Sequence, residues 1–439
     1  MNPKVAFKTM GCKVNQYETG NLRQAFISNG YQITGFKEKA DIYVINTCAV
    51  TGEAERKSKQ MIRKAARLNP SATIIVTGCG VQANLQAVKD CKNSRTYIIG
   101  NYYKDHIFSI FHNISTMPDQ KRIYFRPANQ ITDYSENLYH SNSHRIRGLV
   151  KIQDGCNQFC SYCVIPYLRG KARSRSSREI FLEINHLISN GYKEIVLLGI
   201  NLGSYGKDLT DENINLTKLV QAIEKVPGIE RIRLSSIELP WITDELINTF
   251  YQSSKLCHHL HIPLQSGDND ILSLMCRKYT AGDFIKIVNR IQNKIPYIAI
   301  TTDVIVGFPG EDDSSFDRTY QLIDKLSFAK IHVFPYSERP FNLASLLPGK
   351  IEQKTIIKRT QQLNDLSQQL RKAFFLKNIG QERSILVEYQ GDINNRKYIC
   401  GLTDNYIKVC VADFQAQKGQ MIKTKLKEYH NSYIEGYVF

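Results

Sequence analysis

Three cysteines stand in one short stretch, Gly155-Cys156-Asn157-Gln158-Phe159-Cys160-Ser161-Tyr162-Cys163. The spacing C-x3-C-x2-C offers three thiolates from one loop and no fourth. A closed zinc site takes four protein ligands, whereas an iron–sulfur cubane held by three thiolates leaves one iron open to a further molecule. Three more cysteines, Cys12, Cys48 and Cys79, are far apart in sequence, but each follows a short apolar run and a small residue: Gly11, Thr47 and Gly78. Ligands of open α/β sheets bind beyond the carboxyl ends of the strands. These three thiolates are therefore expected to converge at one sheet edge as a second three-thiolate cluster. Cys91, Cys257, Cys276, Cys400 and Cys410 lack ligand spacing and read as structural or incidental thiols. Neither a Ser-His-Asp set nor paired catalytic carboxylates can be read from the chain.

The elements that must position these residues follow from hydropathy and punctuation. Apolar runs at 5–9, 42–46, 74–77 and 97–99 alternate with helix-permissive stretches, the pattern of a parallel sheet covered by helices. Residues 113–143 are polar and read as a linker with one strand. Strand candidates then recur at 148–152, 194–198, 231–234, 259–262, 298–305 and 329–334, with helices over 179–189, 216–225 and 281–294 between them. Six consecutive βα units predict an open or closed α/β barrel with its chemistry at the strand carboxyl ends. A polar helix over 353–375 closes this region. From Lys377 onward short β-type runs at 382–389, 398–403, 406–411 and 421–426 predict a small β-barrel of the oligonucleotide-binding kind. The fold class is thus α/β with three domains: 1–140, 144–375 and 377–439.

The chain has 439 residues with 58 basic and 41 acidic side chains, a formal charge of +17. Such an excess points to a polyanionic partner, nucleic acid first. The cysteine loop is flanked by Arg145, Arg147, Lys151, Arg169, Lys171, Arg173, Arg175 and Arg178, with Asp154 as the single acid of that stretch. Arg56, Lys57, Lys59, Arg63, Lys64 and Arg67 form a second basic group on a helix ending before Pro70. The terminal region is only weakly basic, and its Tyr389, Tyr398, Tyr406 and Tyr429 are candidates for base stacking or for core. Arg169-Gly170 is a candidate for binding phosphate or carboxylate. No run approaches the ~20 apolar residues of a membrane span, no signal-peptide core is seen, and a cytoplasmic location with reduced thiols is expected. Cys257-His258-His259-Leu260-His261 has the composition of a zinc tract. Because strand side chains alternate, His259 and His261 share a face opposite His258, which fits a lining or core role better.

The cysteine loop, with Tyr162 before its last cysteine, resembles the signature of the radical S-adenosylmethionine (SAM) superfamily. Further motifs resemble that superfamily in order. Leu198-Gly199-Ile200-Asn201 ends the second strand, and Ser235-Ser236-Ile237-Glu238 the third. Gln265 ends the fourth, Val304-Ile305-Val306-Gly307-Phe308-Pro309 the fifth, and Val333-Phe334-Pro335-Tyr336 the sixth. The resemblance narrows the α/β barrel to a partial (β/α)6 barrel and implies a [4Fe–4S] cluster on Cys156, Cys160 and Cys163, whose open iron takes the methionine part of SAM. It implies SAM contacts by Tyr162, Gly199, Asn201, Ser235, Ser236, Glu238, Gln265, Ile305 and Phe334.

The whole layout resembles the radical SAM methylthiotransferases, with a TRAM-like terminal barrel. Members insert sulfur into a C–H bond and methylate it, which implies a second [4Fe–4S] cluster on Cys12, Cys48 and Cys79. The strings 11–19 (GCKVNQYET), 151–156 (KIQDGC), 199–206 (GINLGSYG) and 401–406 (GLTDNY) are similar to the subgroup acting on threonylcarbamoyladenosine. The expected substrate is that nucleoside at position 37, in the tRNA anticodon stem-loop. The sequence names neither the electron donor nor the sulfur source. The alternatives are the isopentenyladenosine tRNA enzyme, the ribosomal-protein aspartate enzyme, and a non-catalytic iron–sulfur RNA-binding module. Gly80, directly after Cys79, departs from the family pattern, where a larger residue is expected, and is expected to loosen its loop.

Overall fold

The computed structural model describes residues 2–90, 95–116, 122–132, 134, 146–393 and 396–439. Cys91 and Arg145 lie outside the described residues. Two compact units emerge, one of Met1–His144, Gln153–Arg175 and Ser337–Ser345, the other of Arg145–Ile152, Ser176–Tyr336 and Leu346–Phe439.

The first unit is built on a parallel sheet of β1 (Lys4–Thr9), β2 (Gln32–Thr34), β3 (Ile42–Thr47), β4 (Thr73–Gly78), β5 (Thr96–Ile99) and β6 (Ile123–Tyr124), in the order β2-β1-β3-β4-β5-β6. Period-two alternation along β3 sends Tyr43 and Ile45 to one face, with Ile62 and Ala65 of the helix Gly52–Leu68. It sends Ile42 and Val44 to the other face, with Leu22 and Phe26 of the helix Lys13–Ser28. The sheet is therefore buried on both sides, as parallel sheets require. Thr51 caps the helix Gly52–Leu68 by accepting from the Ala54 amide at 3.2 Å. Within the expected linker, the helix Ile107–Thr116 covers the first positions and β6 supplies the one strand.

β7 (Arg147–Lys151) belongs to the second unit; the chain then returns to the first for the two-stranded ladder of β8 (Gln153–Asp154) and β9 (Arg173–Ser174). The second unit continues with β10 (Glu194–Leu198), β11 (Arg231–Leu234), β12 (His259–His261), β13 (Ala299–Val306) and β14 (Lys330–Pro335). β7, β10 and β11 form one parallel ladder and β12, β13 and β14 another, with a parallel bridge between Ile232 and Leu256 joining them. The strands thus lie in chain order, the arrangement six βα units predict. Leu260, Ile262, Ile300, Val304 and Ile331 face the helical layer and share a core with Ile180, Leu219, Phe284 and Ile323. Alternation leaves His259, His261, Thr301, Asp303, Ile305, His332 and Phe334 on the opposite, inner face.

β15 (Glu382–Ile393), β16 (Arg396–Thr403), β17 (Lys408–Ala412), β18 (Met421–His430) and β19 (Tyr433–Tyr437) close into a barrel ordered β15-β16-β17-β19-β18. β19 is the strand the sequence pattern did not reveal. Cys400 and Cys410, expected as free structural thiols, sit opposite each other on β16 and β17 and form a disulfide. Tyr398 is buried and Tyr389 is 43% exposed, so of these two only Tyr389 keeps an open stacking face. This barrel docks at the amino ends of the parallel strands. Arg233 donates to the Asp404 and Thr403 carbonyls at 2.8 and 3.2 Å, and Arg231 to those of Leu402 and Ser384. Both arginines, with Arg147, surround the fully buried Glu194 carboxylate. Burial opposes ionisation of Glu194, but Arg233 and Arg147 more than offset it and hold the carboxyl below its usual range.

Candidate functional site

The strand register explains how three remote cysteines meet. Adjacent β1, β3 and β4 pair so that Thr9 faces Asn46 and Thr47 faces Gly78. Cys12, Cys48 and Cys79 therefore follow three neighbouring carboxyl ends. Gly11 has φ +86°, and a Cβ on it would lie 2.7 Å from Cys48 Sγ. Asn15 ties the two loops by donating to the Met10 and Thr47 carbonyls at 2.9 and 3.0 Å. Cys48 is buried, and burial first, then the neighbouring Cys79 and Cys12 thiols, pushes its pKa up to about 11. Asn101 donates to the Leu168 carbonyl at 3.1 Å and lies 4.0 Å from Cys79 Sγ.

Gly80 does not loosen this loop. A Cβ there would meet Thr47 Oγ1 at 2.7 Å, and its amide donates to that same oxygen at 3.1 Å. Glycine lets the helix start at Cys79 seat against β3, so the departure from the expected larger residue tightens the contact.

The second cysteine set sits in the same unit. Gly155, at φ +70°, turns the chain where a Cβ would collide with the Lys171 carbonyl at 2.0 Å. The Cys156 amide then donates to the Gly170 carbonyl at 3.1 Å, and the Cys163 amide to the Cys160 carbonyl at 2.9 Å. The Gln158 amide points at Cys156 Sγ, 3.3 Å away. The segment Ser337–Ser345 braces the loop from outside. Asn342 Nδ2 donates to the Tyr162 carbonyl at 3.1 Å and the Ala344 amide to that of Ser161 at 2.8 Å.

Arg169 ties the two cysteine loops together. It is 2% exposed. Its Nη1 donates to Glu18 Oε1 at 2.9 Å and Asp154 Oδ1 at 3.0 Å, while Nη2 donates to Asn15 Oδ1 at 2.8 Å. Glu18 also pairs with the buried Lys104. Burial acts against the Arg169 charge, but Asp154, Glu18 and Cys79 more than offset it, and its pKa stands well above the ordinary value. Asn15 and Glu18 follow Cys12 by three and six residues on one helix; Asp154 precedes Cys156 by two. Arg169, a candidate for binding phosphate or carboxylate, takes the carboxylates of Glu18 and Asp154 from within the chain; the roles of Asn15, Glu18 and Lys104 are not evident from the sequence. The signal available was the i, i+3 spacing of Asn15 and Glu18 on an otherwise polar helix start.

The basic flanks are corrected. Of the described members, Lys151, Arg169, Arg173 and Arg175 are buried and Arg147 is half-buried, leaving Lys171 and Arg178 exposed. Arg173 donates to the Arg169 and Lys171 carbonyls, both at 2.9 Å. Arg169 and Arg173 brace the loop, Arg147 pairs with Glu194, and the buried members do not form a phosphate-facing patch. On the helix Gly52–Leu68, Glu53 pairs with Arg56 and Lys57, and Glu55 with Lys59.

In the second unit, the residues singled out for SAM stand at consecutive strand carboxyl ends. Gly199 and Asn201 follow β10, and Ser235, Ser236 and Glu238 follow β11. Gln265 adopts φ +66° and links to β13, its amide donating to the Asp303 carbonyl at 2.8 Å. A non-glycine residue in this region costs energy and marks a position held by its surroundings. Ile305 and Phe334 face each other across β13 and β14, Phe334 being 43% exposed. Ser235 Oγ is a buried hydroxyl without a protein partner, the kind of group a polar ligand satisfies. Glu238 is engaged by Arg277. Tyr162 belongs to the first unit with the cysteine loop.

Residues 4–100 match the family described as "Uncharacterized protein family UPF0004", and 150–323 match the Radical SAM superfamily. A Bacillus subtilis threonylcarbamoyladenosine tRNA methylthiotransferase is 38% identical over 98% of this chain and 95% of its own length. The chain belongs to the radical SAM methylthiotransferase family. A Natranaerobius thermophilus tRNA-2-methylthio-N(6)-dimethylallyladenosine synthase is 33% identical over 98% of this chain and 96% of its own length. A radical SAM methyltransferase from Kitasatospora setae, at 12% identity, shares the fold with TM-score 0.58 over 78% of this chain and 74% of its own. Membership in the methylthiotransferase family brings a [4Fe–4S] cluster and SAM, and the donor set suits both. Thiols gather at three neighbouring strand ends and on one further loop, a backbone amide is aimed at Cys156 sulfur, and Ser235 is an unsatisfied hydroxyl at a strand end. No helix among the described residues is long and apolar enough to cross a membrane.

Proposed function

We propose that this protein is a tRNA methylthiotransferase that converts N6-threonylcarbamoyladenosine at position 37 to its 2-methylthio derivative. The observation that carries the substrate is the level of similarity. It is 38% to a relative named for threonylcarbamoyladenosine and 33% to one named for dimethylallyladenosine, each over 98% of the chain. The strings 11–19, 151–156, 199–206 and 401–406 support the same choice.

In this reading Cys156, Cys160 and Cys163 hold the radical-generating cluster, and Cys12, Cys48 and Cys79 hold a second one. The bound clusters and SAM supply one-electron chemistry able to attack an unactivated C–H bond, and the sulfur and methyl groups to be transferred. The chain's own residues orient and shield. The Gln158 amide orients the Cys156 sulfur, and Arg169 fixes the spacing of the Cys12 helix and the three-cysteine loop through Glu18, Asn15 and Asp154. Ser235 and Asn201 receive polar groups of SAM; Ile305 and Phe334 pack on its adenine. The three sequence-defined domains, 1–140, 144–375 and 377–439, serve as sulfur-carrying, radical-generating and tRNA-holding parts. The protein acts in the cytoplasm on an anticodon stem-loop, where an unpaired base can be splayed out.

Iron and activity measurements on the anaerobically reconstituted chain test this. About eight iron atoms per chain are expected, and about four would refute two clusters. Cys156→Ala is expected to abolish SAM cleavage. Cys48→Ala is expected to spare cleavage and stop thiolation; retained thiolation would refute the sulfur-carrying role.

A further inference from the structure

Below the strand-end residues assigned to SAM, the inner face of the second unit carries a cluster that this assignment does not use. His261 on β12, Asp303 on β13 and His332 on β14 each offer one ligand atom, and these atoms all lie within 4.8 Å of one another. They come from three adjacent strands, with Asp303 directly opposite His332 in register. Strand positions are rigid, so the three donors are held before any ion arrives.

The surroundings orient His261. Its Nδ1 lies 2.9 Å from Thr301 Oγ1, and its Nε2 lies 3.1 Å from Asp303 Oδ2. Thr301 Oγ1 also lies 3.1 Å from His259 Nε2, and His259 packs edge-on against Tyr406. A hydroxyl holding one imidazole nitrogen while the other faces a carboxylate is the outer-shell arrangement that fixes a metal-binding histidine. The side chains of His261 and Asp303 are 13% and 27% exposed, so the site is half-buried but open to an entering ion. The rest of the histidine tract stays outside it, since His258 turns to Asp404 at 3.5 Å.

We propose that His261, Asp303 and His332 form a binding site for a divalent first-row metal cation, distinct from both cysteine clusters. Two imidazoles and one carboxylate suit Zn2+, Fe2+ or Mn2+ and leave positions open for water or a substrate oxygen.

The probe is Zn2+, added to the anaerobically reconstituted full chain, with zinc and iron measured together after desalting. About one zinc per chain is expected beyond the iron. His261→Gln and His332→Gln are each expected to lose that zinc with iron content unchanged, which also reports that the variants have folded. His332→Cys, which restores a ligand, is expected to keep it. Zinc absent from the unaltered chain, or retained in both glutamine variants, would overturn the proposal. Zinc lost only on replacing Cys12 or Cys156 would do the same, because it would place the ion in the cysteine sites.

Discussion

At the scale of single residues, a side chain's role here depends on what it neutralises. Arg169 was visible in the sequence as a cation beside the cysteine loop, but its partners lie 15 and 151 positions away at Asp154 and Glu18. The spacing of Asn15 and Glu18 is visible locally, but nothing local pairs them with Arg169. Removing one member of a buried ion network strands the others, at a cost of about 3–5 kcal/mol. Arg169→Met is therefore expected to lower the unfolding free energy by that order, read as a lower denaturant midpoint. An unchanged midpoint would show that the network is not structural. Cys257 gives a second test. Burial pushes its thiol up to about 12, so the folded state holds it neutral while the unfolded chain ionises near the ordinary value of about 8.5. The stability it contributes is complete below that value and is lost as pH rises toward 12. Denaturant midpoints measured from pH 8 upward are expected to fall less steeply in Cys257→Ala than in the unaltered chain.

At the scale of elements, much was legible because strand and helix periods are local. The four strand runs of the first region and the six of the second appear with boundaries shifted by one residue or so. Convergence of Cys12, Cys48 and Cys79 followed from one rule about strand ends, and the register of β1, β3 and β4 accounts for it. The missing information was tertiary. β19 is a strand of polar and aromatic residues whose only apolar anchor is Ile434, fully buried in the barrel. The Cys400–Cys410 bond depends on β16–β17 register, which spacing alone does not give. Gly80 looked like a loosening substitution, yet its contact with Thr47 is too close for any side chain. Gly155 makes a stricter demand than Gly80, since a Cβ there meets backbone 2.0 Å away. Gly155→Ala is expected to displace the cysteine loop. It should cost roughly half the reconstituted iron while leaving the Cys12, Cys48 and Cys79 site loaded. Full iron content would contradict that placement of the clusters.

At the scale of the molecule, a charge of +17 suggested a basic collar around the cysteine loop. Among the described members of that collar Lys151, Arg169, Arg173 and Arg175 are buried, and Arg169, Arg173 and Arg147 spend their charge on Glu18, Asp154, Glu194 and backbone carbonyls. Net charge still favours a polyanion, but the cations nearest the cysteines serve the fold. In the second unit, the terminal barrel is latched to the amino ends of the parallel strands through Arg231 and Arg233, at the end of the sheet opposite the strand termini assigned to SAM. The central claim concerns the substrate, and nucleoside mass spectrometry tests it most directly. The reconstituted chain, a reductant, SAM and tRNA bearing threonylcarbamoyladenosine are expected to yield 2-methylthio-threonylcarbamoyladenosine. A product formed only from isopentenyladenosine tRNA, with threonylcarbamoyladenosine left unchanged, would contradict the account.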